Sequence, residues 1–164
     1  MLATPAASPR ANVRIQPAGV TLSETVLGAP TFAVVLSGTD SVVSYALPIS
    51  VSDLRGTGAG RNLTVSATTW TSGSATLPAT ASSVTAVTAA CSGGVCTAPI
   101  NSVTYPFMLP AAVSPPAAVK LFNAAASSGT GQFTITPTVH VTVPANARSG
   151  AYTSTITLAI ASGP

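Results

Sequence analysis

Charge is what this sequence has least of: six basic and three acidic side chains in 164 residues. An ordinary soluble domain carries about a quarter charged residues; here Ser, Thr, Ala, Val, Gly and Pro fill the gap. The basic residues Arg10, Arg14, Arg55, Arg61, Lys120 and Arg148 are scattered singly. A formal charge of +3 spread this way lacks the clustered, aromatic-flanked footprint of a nucleic-acid binder. The carboxylates Glu24, Asp40 and Asp53 stand in three separate segments, so the facing pair needed for glycoside hydrolysis is missing. Glu24, at a strand end, and Asp40, in a turn, read as solvated. His140 is the one histidine, too few for a metal site built with two cysteines. No G-x-S-x-G elbow singles out a serine. The expectation is a non-enzymatic chain with no cofactor and no metal.

Long apolar runs are also missing. None approaches the roughly 18–20 residues that cross a bilayer, so no transmembrane segment is expected. Met1-Leu2-Ala3-Thr4-Pro5 opens into polar, proline-rich chain without the apolar core of a secretory signal. The two cysteines, Cys91 and Cys96, enclose Ser-Gly-Gly-Val. That spacing, with glycines to turn the chain, reads as a small disulfide loop and an oxidising compartment.

What remains is strand after strand. Residues 1–12 form an Ala/Pro-rich tail, and residues 13–164 a single β-sandwich domain. Val13-Arg14-Ile15 alternates, and Val20-Thr21-Leu22 follows a turn. Phe32-Ala33-Val34-Val35-Leu36 reads as a buried strand ending at Gly38-Thr39-Asp40. Residues 42–51 are broken by Pro48, which marks an edge or bulge. Residues 62–67, 84–90 and 103–109 follow, with Tyr105, Phe107 and Leu109 on one face. Residues 133–136 and 139–143 flank Pro137, with His140 on the polar face, and Ile156, Leu158 and Ile160 alternate near the end. No stretch keeps helical period for three turns; residues 117–126, with Lys120, Leu121 and Phe122, read as one short helical turn at most. About nine or ten short strands with Gly and Pro between them predict an all-β antiparallel sandwich, immunoglobulin-like in kind. Tyr152, just after Gly150-Ala151, reads as a structural corner residue whose hydroxyl bonds back to the crossing loop.

Asp53-Leu54-Arg55-Gly56-Thr57-Gly58-Ala59-Gly60-Arg61-Asn62-Leu63-Thr64-Val65 resembles the first signature of bacterial WxL-domain surface proteins, D-x-R-G-x-G-x-G-W-x-L-x-V. Gly150-Ala151-Tyr152-Thr153-Ser154-Thr155-Ile156-Thr157-Leu158 resembles the second. The resemblance spans most of residues 18–164 in order of elements. It implies an extracellular β-sandwich held at the cell surface, with peptidoglycan as ligand. Arg61 and Leu158 stand where the two signature tryptophans would be, which takes away the aromatic side chains that would touch wall polymer.

Asp53 and Arg55 point to one face and can pair, while Gly56, Gly58 and Gly60 at spacing two permit a bulged, tightly approached turn. Two readings stand for Asp53–Arg61: a structural turn held by an ion pair, and a ligand-binding loop on a rigid scaffold. Two functions follow for the whole. The first is a self-assembling structural subunit of a surface layer or filament. Its partners are copies of itself, and the tail residues Val13 and Ile15 serve as an arm that adds a strand to a neighbour. The second is a monomeric WxL-like module that binds cell-wall glycan.

Overall fold

A computed structural model describes residues 22–164. The tail of residues 1–12 and the proposed arm residues Val13 and Ile15 lie outside the described residues. The rest is all β, with no helix among the described residues. In chain order the strands are β1 (Leu22–Val26), β2 (Ser41–Ala46), β3 (Ile49–Asp53), β4 (Arg61–Thr68), β5 (Thr71–Ser72), β6 (Ala75–Thr76), β7 (Ser82–Gly93), β8 (Phe107–Met108), β9 (Ala111–Ala112), β10 (Val119–Ala124), β11 (Gly131–Val143) and β12 (Ile156–Ser162).

Two sheets form the sandwich. One runs β1-β3-β11-β7-β8, with β2 also paired to β11; the other runs β10-β4-β12, with β9 beside β4. Nearly every pairing is antiparallel; β4–β9 is the parallel one. Strict alternation drives this arrangement. Along β11 the odd residues Gly131 to Val143 are buried and the even ones face outward. Ile49 and Val51 of β3, Leu63 and Val65 of β4, and Leu158 of β12 meet them in the core at 0–3 % exposure. Burying an aliphatic side chain this fully stabilises by roughly 1.5–3 kcal/mol, which pins the register, since a slip by one residue would turn each such row to solvent.

Three expectations need correction. Pro137 does not separate two strands, because β11 is continuous through it. Its neighbour on one side changes there: Ile135 pairs with Ile49 of β3, and Thr138 with Ala46 of β2. Pro137 faces the break between those strands, where its carbonyl accepts from Leu47 N at 3.0 Å and no ladder donor is required of it. Residues 117–126 hold no helical turn; they contain β10, antiparallel to β4. A bulge between Lys120 and Phe122 buries the consecutive residues Leu121 and Phe122 (1 % and 4 % exposed), and consecutive apolar burial imitates a helical face. Residues 32–36 are not a strand. Phe32 and Val34 are half-buried, but Val35 is 88 % exposed and the segment joins no ladder.

Edges are treated unequally. The outer edge of β10 is closed by side chains: Asn101 Oδ1 accepts from Asn123 N at 3.0 Å, and Tyr105 OH donates to Leu121 O at 2.6 Å. Tyr105 and Phe107 keep their shared face, their rings 6.0 Å apart. By contrast, among the described residues β2 pairs with β11 alone.

Candidate functional site

The glycine-rich loop joins β3 to β4 and brings three charged groups together. Asp53 shares the inward face of β3 with Ile49 and Val51, and Arg61 that of β4 with Leu63 and Val65. Arg55 grips the Asp53 carboxylate with two bonds, Nε to Oδ1 at 2.8 Å and Nη2 to Oδ2 at 2.7 Å. It also donates to Gly60 O at 2.7 Å. Arg61 Nη1 lies 3.6 Å from Asp53 Oδ2 and donates to Gly129 O. The Arg61 guanidinium carbon sits 5.3 Å from the centre of the Phe133 ring, a favourable cation–aromatic position.

Burial pushes the Asp53 carboxyl up, but the hydrogen bonds and charge of Arg55, with the charge of Arg61, outweigh it and hold the group below its ordinary value. Burial pulls Arg61 down, against the pull of Asp53. Gly56, Gly58 and Gly60 all take positive φ. At Gly60 the reason is close approach, since a Cβ there would stand 2.4 Å from Ala124 O. Ser127 N donates to Gly58 O at 2.7 Å, which fastens the loop to the turn after β10. The loop's charged groups are thus directed at one another and at backbone, with the Arg55 side chain 11 % exposed. The two positions matched to the signature tryptophans, Arg61 and Leu158, both point into the sandwich, at 1 % and 2 % exposure.

The remaining candidates lie apart. Cys91 and Cys96 are joined as a disulfide, their Cα atoms 6.0 Å apart, at the end of β7. Tyr152 OH donates to Arg148 O at 3.0 Å across the turn before β12. Asp40 is exposed and accepts from Ala145 N at 2.8 Å. Glu24 corrects the sequence reading: it is not solvated but 3 % exposed, and neither carboxyl oxygen has a hydrogen-bond partner. Burial pushes its pKa up from 4.5 to about 7. Its position was legible, because Leu22, Glu24 and Val26 share parity on β1. Among the described residues no group of three His, Cys, Asp or Glu could hold a metal, and no helix is long and apolar enough to cross a membrane.

Sequence reasoning missed a cavity of about 910 Å³ at the β2 side of the sandwich. One wall is residues 28–34 with Leu36; another is residues 147–156, leading into β12. Its floor includes Tyr45, Leu47, Trp70 and Val141. Phe32 stacks on Tyr45 at 5.7 Å and meets Trp70 edge-on at 5.6 Å. Burial pushes the Tyr45 hydroxyl up to about 12, and Trp70 Nε1 donates to Ser82 Oγ at 2.8 Å. Among the described residues Arg148 is the one charged residue on the lining. Such a space receives apolar groups and offers hydroxyls at its rim. The three aromatics are far apart in sequence, so no local pattern announces them. No protein-family model, curated protein or solved structure matches the chain.

Proposed function

We propose that this chain is a non-enzymatic extracellular structural protein of the cell surface that assembles with copies of itself into a layer or filament. The observation that carries the reading is a set of exposed apolar side chains along residues 27–42. Leu27 is 57 %, Val35 88 %, Leu36 37 % and Val42 61 % exposed. They lie between β1 and β2 and on β2 itself, in a chain with only nine charged residues (six basic, three acidic) to oppose contact between copies. Exposed apolar surface of this kind marks interaction sites, and low charge removes the repulsion that keeps domains apart. The disulfide suits an oxidising compartment, and the resemblance to WxL surface proteins supports the cell surface.

The test is electron microscopy and sedimentation of the purified full-length chain. Polymers are expected, and they should persist in about 1 M salt, where exposed charge pairs are screened within roughly 3 Å. A chain that stays monomeric at working concentration overturns the reading.

The second reading, a wall-glycan module, is favoured by Tyr45, Trp70 and Tyr152 lining the cavity beside hydroxyls such as Thr153 and Ser154. Against it, Arg61 and Leu158 cannot meet a polymer without opening the core. Co-sedimentation of the monomer with purified peptidoglycan separates the two.

A further inference from the structure

The outer edge of β7 is open over most of its length. Along one side Ser82–Gly93 pairs with β11; along the other, among the described residues, only Ser83 and Val84 have a strand neighbour, β8. Exposed sheet edges are normally blunted by a charge or a proline. Residues 85–93, Thr-Ala-Val-Thr-Ala-Ala-Cys-Ser-Gly, contain neither, and Ala86 and 88–92 are all exposed.

The ladder fixes which backbone groups point outward. Pro137 O accepts from Leu47 N, so Pro137 turns its polar groups toward β2 and β3. Successive residues of a strand point theirs to opposite sides, so Thr134 and Thr136 turn theirs toward β7, opposite Ala90 and Thr88. Val87, Ala89 and Cys91 therefore carry their N–H and C=O groups to the open edge, where no backbone partner meets them among the described residues. The side chains of Ala89 and Cys91 share the inward face with Ile135 and Phe133, which are buried, yet both are exposed. The second sheet does not cover them.

Resting on the self-assembly reading above, we infer that this edge is filled by the same edge of a second copy, β7 against β7, antiparallel about a two-fold axis at Ala89. Three features select a copy. The outward groups at Val87, Ala89 and Cys91 are symmetrical about Ala89. In this register Ala89 exchanges both bonds with its counterpart, and Val87 exchanges both with Cys91 in each direction, so none is left unmatched. The side chains brought opposite one another are small and uncharged. A copy therefore meets no like charge, and a charged partner finds nothing to pair with. The ends also match. Met108, beside Ser83 at one end, is 51 % exposed, and Val95, beyond the other end, is 97 % exposed. The two-fold brings the Val95 of each copy toward the Met108 of the other, and the turn at Gly94 (φ 66°) takes the chain away before it meets β8.

An isologous contact of this kind closes on itself. β2 lies on the far side of β11 from β7, so residues 27–42 stay free to join one dimer to the next. The pair of copies becomes the unit of the layer or filament.

The experiment is amide hydrogen exchange on the full-length chain, dilute and assembled. At about ten times the concentration of half-assembly, the amides of Val87, Ala89 and Cys91 should exchange about tenfold more slowly than in dilute chain. Those of Thr88 and Ala90, bonded to β11, should be slow in both. Ala89→Lys sets like charges against each other at the axis and should abolish the concentration-dependent protection. It should keep the melting temperature of the dilute chain, because Ala89 is exposed and its N–H bonds nothing there. Val113→Lys, at a residue 87 % exposed beyond β9, should behave as wild type. Exchange at Val87, Ala89 and Cys91 that is independent of concentration, or protection that survives Ala89→Lys, overturns the inference. Polymers in which those three amides exchange freely leave the assembly reading standing and remove only this contact. Protected dimers that never grow keep the contact and remove the layer or filament. A chain monomeric at every concentration removes both. Protection seen only when purified peptidoglycan is added assigns the edge to glycan and overturns the pairing of copies.

Discussion

Glu24 should make this protein lose stability as pH rises through the range in which most proteins are steady. The carboxyl sits at the centre of β1 opposite Val51, which is 1 % exposed, and is itself 3 % exposed with both oxygens unpartnered. Burial pushes its pKa from 4.5 to about 7. Below pH 4.5 the group is protonated whether the chain is folded or not, and it contributes no pH dependence. Between 4.5 and 7 the folded chain keeps a proton that the unfolded chain releases, so stability falls with rising pH. Above 7 the full penalty is reached. A shift of that size corresponds to about 3 kcal/mol at 1.36 kcal/mol per unit, and solvent screening at the sheet edge brings it to roughly 2 kcal/mol.

Glu24→Gln keeps the shape of the protonated acid and cannot ionise. Urea unfolding, followed by the fluorescence of the single tryptophan Trp70, should find the two proteins nearly equal at pH 4.5. The variant should be more stable by about 2 kcal/mol at pH 8. Asp53 does not confuse the result. Its pKa is depressed, so its contribution is present above the ordinary carboxylate range and is lost only as pH falls below it. If the stability difference between wild type and Glu24→Gln stays constant from pH 4.5 to 8, the carboxyl is ionised or hydrated in the folded state and the reasoning fails.

Asp53→Asn should destabilise by about 3–5 kcal/mol in denaturant titration, because it leaves the buried Arg61 guanidinium without its counter-charge. Gly60→Ala, at φ +72° with Ala124 O 2.4 Å from the new Cβ, should lower stability by about 3 kcal/mol. Gly28→Ala meets nothing within 4 Å and should be neutral to within about 0.5 kcal/mol in the same assay. Reducing Cys91–Cys96, which closes a loop with sequence separation 5, should release about 2 kcal/mol by chain entropy, read as a lower melting temperature with reductant.

Much of the fold was legible because alternation is a local property. The inward rows of β4, β11 and β12 can be read directly from residue parity, whereas Glu24, read as solvated at a strand end, lies in the middle of β1 on its inward face. The Asp53–Arg55 pair and the Cys91–Cys96 loop were legible for the same reason, since their partners are near in sequence. Where alternation broke, reading failed. The bulge in β10 buried two neighbours in a row, and the continuity of β11 through Pro137 depends on two other strands ending opposite it.

The sequence by itself therefore determined the class of fold, the disulfide and the inward rows of its regular strands, because the two-residue period of a strand needs no partner to express it. Only the tertiary structure decided that Arg61 reaches Asp53 across the loop, that Glu24 is cut off from water, and that residues 28–36 run beside a cavity without a ladder. Those outcomes depend on which strand lies next to which, and hydrogen-bond neighbours in a sheet are chosen by contacts between residues far apart in the chain.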